Sequence, residues 1–370
     1  MAREQSSEIA RSFFTVAAAS HGTTAEEKAK KKTHVKVVSA TNTLAGPGIK
    51  AMKLGQTQEF DLSYGQVLNV ETDTNGSDPT GSYIEADLPV AVFAGSQAAY
   101  APNTDHCIGG KCEFQGWVCK TNDDCPTTCC ANHMEEQLLP TELWGVEYVA
   151  THFAPRGKAK DVYRILAQFN NTAVTTTPPQ TGTPLELQQG EWVEIESDQD
   201  FVIQSNPGHS IEVGQYMAGA SAPDPNNDTC TGKFAGQKVC SWFWNVKQIP
   251  LGCNKNADCP NIPEGDDAKT GAPSFVILPP VERFQAKYVF YVPQGYFADY
   301  INVVVKVAEI SLDGVDMAAS DFNPIGAGWS VARVPISPGQ HVLTANSPIG
   351  LIAYGWADDV SYSYAGGAEK

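Results

Sequence analysis

The chain has no apolar run approaching the roughly 20 residues that a membrane-spanning helix needs, so no span is expected. It is short of positive charge, with 25 Lys and Arg against 42 Asp and Glu and a net charge of -17. Nucleic acid is thereby excluded as a natural partner, because phosphate binding needs a basic face. The one basic cluster, Lys28, Lys30, Lys31 and Lys32, reads as a solvated loop. A secretory leader is not convincing either: Phe13 to Ala19 is short, and Glu4 and Glu8 are mixed with Arg3 and Arg11 ahead of it. The expectation is that a leader was removed upstream of residue 1.

Catalytic signatures are missing one after another. There is no Gly-x-Ser-x-Gly elbow, no Gly-x-x-x-x-Gly-Lys phosphate loop and no His-Glu-x-x-His, since His133-Met-Glu-Glu-Gln lacks its second histidine. Gly208-His209-Ser210 is the nearest imitation of a nucleophile site, but no motif places an acid beside it, and a loop between strands is expected. His341, inside a strand pattern, is expected to be a packed or surface histidine. No cofactor is expected.

Helical periodicity is also scarce, and only Glu8 to Ala19 and Met134 to Leu139 support short helices. What remains reads as strands. Asp161-Val-Tyr-Arg-Ile-Leu-Ala and Asp299-Tyr-Ile-Asn-Val-Val-Val are β-branched and aromatic runs, and 32 Gly and 24 Pro punctuate the chain as an all-β protein requires. With 42% apolar residues and 18% charged, the chain can build real cores, and its length of 370 implies roughly two or three domains.

Against these absences stands an internal duplication. The string Cys-x-x-Asn-x-Asp-Cys-Pro occurs at Cys119 to Pro126 and again at Cys253 to Pro260. Each copy is followed by Pro-x-Glu-x-aromatic-x-x-x-Tyr-Val: Pro140, Glu142, Trp144, Tyr148 and Val149, then Pro280, Glu282, Phe284, Tyr288 and Val289. A repeat that carries its cysteines with it points to a stapled, modular, extracellular protein. The ten cysteines form a group of six (Cys107, Cys112, Cys119, Cys125, Cys129, Cys130) and a group of four (Cys230, Cys240, Cys253, Cys259). Even counts, with no Cys-x-x-Cys and no suitably spaced His, favour disulfides over zinc, with bridges kept inside each group and equivalent bonds for Cys119 and Cys253.

A weaker pattern encloses the strong one. Gly65, Gly190 and Gly339 each open a strand, a turn ending in Pro89, Pro207 or Pro348 follows, and a second strand ends in Gly95, Gly214 or Gly355. The expected architecture is all-β: three homologous β-sandwich-like units with two disulfide-rich insertions. The divisions are an N-terminal segment (1–33), unit 1 (34–100), the first insertion and connector (101–160), unit 2 (161–220), the second insertion and connector (221–298) and unit 3 (299–370). In each unit the strand after the proline is expected to pair with the strand after the first glycine.

Two features are candidates for recognition. Trp242-Phe243-Trp244 cannot all face one core from a strand, because alternate side chains point to opposite faces, so a contact or sugar-stacking surface is an alternative to their being covered. Asp123 and Asp124 with Asn122, matched by Asp258 and Asn256, put hard oxygen donors in a cysteine-flanked loop. The spacing matches no EF-hand, and Asn and Asp are also the residues of tight turns, which is the preferred reading over calcium.

Pro279-Pro280-Val281-Glu282-Arg283-Phe284, Tyr288-Val289-Phe290, Tyr300-Ile-Asn-Val-Val-Val, Ser311-Leu-Asp-Gly314 and Val360-Ser-Tyr-Ser-Tyr-Ala-Gly-Gly367 together resemble the IgGFc-binding protein N-terminal domain family. The likeness runs from about Phe60 onward and is strongest between Ser274 and Gly367; the cysteine-rich insertions depart from the animal pattern and look like those of bacterial extracellular members. The resemblance implies a secreted or surface-displayed binding or adhesion protein, acting on an extracellular protein or glycan, without catalysis. Antibody binding is not carried over, because no residue here matches an antibody contact. A secreted carbohydrate-active or other hydrolytic enzyme is the alternative from another class.

Overall fold

The computed structural model describes residues 10–19, 24–30, 32–74, 76–101, 107–112, 118–121, 131–154, 160–219, 232–234, 237–244, 250–255, 271–357 and 360–367. Nearly all regular structure there is antiparallel β. The one α-helix among the described residues, Ala25–Ala29, is a single turn closed by a capping box from Thr24. The all-β expectation holds. The two expected helices do not form: Ser12–Ala17 and Asn132–Gln137 are strands of one sheet. Phe14 and Val16 enter a core while Thr15 between them faces out, a period of two that overrides the helical propensity of the Ala-rich stretch.

Three pairs of sheets follow one another along the chain. In the first, Ser12–Ala17 lies between Val67–Glu71 and Ala91–Ala99, with Asn132–Gln137 outside the latter. Against it stands a sheet in which Thr33–Val38 is flanked by Thr57–Leu62 and Tyr83–Ala86. In the second, Asp161–Ala167 lies between Trp192–Ser197 and Ile211–Met217, with Ser274–Ile277 outside. Its facing sheet runs Glu147–Ala150, Phe201–Ser205, Thr172–Thr177, Leu185–Leu187. In the third, Ala298–Val305 lies between Trp329–Pro335 and the far half of Gly339–Ala357, with Val360–Ala365 outside. The near half of that 19-residue strand turns into the facing layer between Gln285–Val292 and Ile310–Leu312. One order of strands therefore recurs three times.

This order corrects the expected pairing. The strands after Gly65 and after Pro89 do not pair with each other; both pair with Ser12–Ala17, which comes earlier in the chain and lies between them. The second unit repeats this with Asp161–Ala167. The third counterpart of Gly65 and Gly190 is Gly328 and not Gly339. Gly65, Gly190 and Gly328 end the turn into the strand beside the central one, with φ of +77°, +77° and +81°, where a Cβ is strained. Gly95, Gly214 and Gly355 instead mark a close approach: an added Cβ would collide with the Met134 carbonyl, the Phe275 ring and the Asp299 carboxylate, respectively.

Each pair of sheets encloses apolar side chains. Phe14, Val16, Val35, Val37, Leu62, Leu68 and Val70 fill the first. Tyr163, Ile165, Phe201, Ile203 and Val213 fill the second, whose core continues onto Tyr300, Tyr354 and Trp356 of the third. The third has its own cluster around Ile301, Val303, Val334 and Leu343. The cysteine-bearing stretches occupy one place in the topology. They join Ala91–Ala99 to Asn132–Gln137 and Ile211–Met217 to Ser274–Ile277, whereas only residues 358 and 359 make the corresponding join in the third.

Candidate interaction surface

The duplicated connectors build the same local structure. Pro140 and Pro280, at φ -64° and -66°, each precede a 3-10 turn (Thr141–Leu143, Val281–Arg283), and Trp144 and Phe284 follow at φ -66° and -65°. Tyr148 then donates its hydroxyl to the Ile211 carbonyl and accepts from the Gly145 amide. Tyr288 donates likewise to Ile349 and accepts from the Gln285 amide. The two copies also touch: the Val146 amide donates to Glu282 Oε1 at 3.1 Å and Arg283 Nη2 to the Glu142 carbonyl at 3.1 Å. Trp144 and Phe284 are half-buried, the latter edge-on to Trp329.

Polar clusters join the sandwiches. Arg164 reaches from the second to the first, donating to Asp78 Oδ2 and Thr80 Oγ1 at 2.7 Å while Nε and Nη2 hold Glu194 Oε1. Its guanidinium lies 4.1 Å from the centre of the Trp192 ring. Burial pushes the Asp78 carboxyl up, but the Arg164 charge and the Thr80 hydroxyl and amide outweigh it and hold it at about 2. Between the second and third, Arg333 binds Asp200 and the His152 carbonyl, and Asn302 Nδ2 donates to Thr151 and His152. These groups satisfy one another and act as braces.

The open surface lies on the outer face of the first sandwich. A shallow cleft of about 430 Å³ is lined by Thr15, Ala17, Val67, Phe93, Glu135, Glu136 and Gln137. Val67 is 55% exposed, and burial pushes the Glu136 carboxyl up to about 7. Phe13 and His133 stack at 6.0 Å on the same sheet. Sequence reading missed this face, because Phe93 and Gln137 meet only through the pairing of strands about 40 residues apart.

The sequence-derived candidates fall elsewhere. Trp242, Phe243 and Trp244 end the strand Gln237–Trp244, which pairs with Gly232–Phe234 and Pro250–Gly252; their side chains lie outside the described residues. Asp123, Asp124 and Asp258 also lie outside them. Among the described residues no group of three or more His, Cys, Asp or Glu is arranged to hold a metal. Cys107 is bonded to Cys119, within the first insertion, and Cys253 is disulfide-bonded. Cys112 and Cys240 lie on strands, while Cys125, Cys129, Cys130, Cys230 and Cys259 fall outside the described residues.

His209 sits in a turn, its Nδ1 within hydrogen-bond distance of Asn206 Nδ2 and the Pro207 carbonyl. His341 is packed, with Nδ1 on Asp313 and Nε2 on the Ser337 carbonyl. No helix of the described residues is long and apolar enough to cross a membrane.

Searches of curated proteins and of solved structures returned no match. The family model described as IgGFc binding protein, in contrast, matches residues 7–355, from just ahead of the first strand of the first sandwich to near the end of the third. With nearly its whole length matched, this chain belongs to the IgGFc-binding protein family.

Proposed function

We propose that the chain is a non-catalytic extracellular binding protein, serving in adhesion or as a structural part of an extracellular assembly, and that its three sandwiches are homologous units with the first reaching back to Ser12. The family match across residues 7–355 carries this reading. Supporting it, the side chains of the open face on the first sandwich, Val67 and Phe93 beside Glu135 and Gln137, offer contact area and hydrogen bonds of the kind a protein or glycan partner uses. His209 and His341 are engaged in turn and packing contacts. Trp242, Phe243 and Trp244 remain part of the proposal as a second contact surface.

The test is an array of extracellular proteins and glycans probed with the intact chain, run alongside turnover assays on the same compounds. The expected outcome is saturable binding that weakens when Phe93 or Val67 is replaced by Asp. Turnover of a glycan or peptide would instead establish the hydrolytic alternative.

A further inference from the structure

The three sandwiches differ in one strand. In the second, Phe201–Ser205 carries Glu147–Ala150 on its outer edge, in the register Tyr148 to Ile203 and Ala150 to Phe201. In the third, Gln285–Val292 lies in the same place along Gly339–Ala357, with Tyr288 opposite Leu343. The counterpart in the first sandwich is Tyr83–Ala86, which pairs with Thr33–Val38 on one side; among the described residues no strand pairs with its other side.

The core registers the difference. Tyr148, Ala150, Phe201 and Ile203 are 0% exposed, and Tyr288, Val292 and Leu343 are at most 3% exposed. Ile84 and Ala86, the inward-facing residues of the first sandwich's strand, are only half-buried. Their backbone is also presented. The Asp87 amide donates to the His34 carbonyl, so in this antiparallel ladder residues 83, 85 and 87 bond inward and the N–H and C=O of Ile84 and Ala86 point to the open side.

An unpaired edge beside a half-covered core is the geometry of strand addition, in which main-chain bonds supply affinity and pockets for alternate side chains supply selectivity. We propose that Tyr83–Ala86 is a strand-acceptor site, filled in trans by an extended partner segment that runs antiparallel to it and turns apolar residues, an aromatic among them, inward at every second position. The occupant's chemistry is read from the two sandwiches that already hold one: Tyr148 and Ala150 face inward in one, Tyr288, Phe290 and Val292 in the other. This goes beyond the proposed function and does not depend on what the outer face of the first sandwich binds.

The probe is a synthetic peptide of residues 283–293, added to the intact chain while amide hydrogen exchange is followed. In the native ladder the Asp313 amide donates to the Val342 carbonyl, so the amides of Tyr288 and Phe290 are those that face the acceptor strand. The expected result is saturable binding with slowed exchange in residues 82–87. N-methylation at Tyr288 and Phe290 should weaken it at least about tenfold, since each lost bond leaves an acceptor unpaired, while N-methylation at Val289 and Tyr291 should not. A variant lacking residues 1–9 should bind equally well. The proposal is overturned by absence of saturable binding, by equal loss from both methylated peptides or by slowed exchange at 339–345 in place of 82–87. Binding that requires removal of residues 1–9 overturns it too, since it would show the edge filled in cis.

Discussion

The Tyr148 hydroxyl donates to the Ile211 carbonyl at 2.5 Å across 63 residues of sequence, and Tyr288 makes the same bond to Ile349 at 2.7 Å across 61. Each tyrosine is buried and staples the connector entering a sandwich to the strand that closes it. Replacing either by Phe keeps the ring and removes the bond, leaving a buried carbonyl and an amide with one partner fewer, at a cost of about 1–3 kcal/mol. Chemical denaturation of Tyr148→Phe and Tyr288→Phe should show losses of similar size, and a loss confined to one would break the equivalence of the connectors.

Arg164 predicts an acid-sensitive joint between the first two sandwiches. Asp78 has a carboxyl held at about 2 in the folded protein against an ordinary 3.8, so its contribution is present above about pH 4 and fades as pH falls through 2. The depression corresponds to about 2 kcal/mol. Arg164→Met retains contact with Trp192 but strands Asp78 and Glu194, costing about 3–5 kcal/mol at neutral pH. Thermal melts from pH 2 to pH 7 check both: the parent's advantage over the variant should be full at neutral pH and shrink as pH falls from 4 through 2.

Glu212 predicts the opposite slope. Burial pushes its carboxyl up to about 8, with hydrogen bonds from the Leu139 amide and the Trp144 side chain opposing, and its Oε1 has no partner. The unfolded chain releases this proton near 4.5 and the folded one near 8, so stability falls as pH rises between these values. Glu212→Gln, which has no proton to lose, should raise the melting temperature at pH 8 and change it little at pH 5. An unchanged melting temperature at pH 8 would contradict the account.

The cysteine repeats give a pairing. Cys119 and Cys253 each follow a bridged residue (Lys111 with Val118, Val239 with Gly252) and donate their amides to Gly110 and Lys238, which puts Cys112 and Cys240 at one position. Cys119 is bonded to Cys107, the cysteine preceding Cys112. The cysteine preceding Cys240 is Cys230, so non-reducing peptide mapping should join Cys253 to Cys230. A Cys240–Cys253 peptide, or a bridge between the two insertions, would refute the equivalence.

Local pattern was legible where it was local. The β-branched runs at Asp161–Ala167 and Ala298–Val305 are central strands buried on both faces, and the Pro-x-Glu-x-aromatic repeat is one turn built twice. Pairing was not legible, because each central strand precedes both of its neighbours in the chain, and in the first two sandwiches about 25 to 75 residues intervene. The third glycine was misplaced for a related reason: Gly339 opens a strand as Gly65 does, and only the ladder shows that Gly328 leads to the central strand's neighbour. The outer-face cleft and the open edge at Tyr83–Ala86 arise from such long-range pairings.

The most direct test of the central claim is the mass of whatever the chain holds. The chain is to be incubated with extracellular material from its native setting, at stoichiometric and at substoichiometric amounts, and the captured and unbound partners weighed by mass spectrometry over time. A binding protein returns its partner at unchanged mass, in proportion to the chain supplied. Partner cleaved in excess of the chain present would contradict the account.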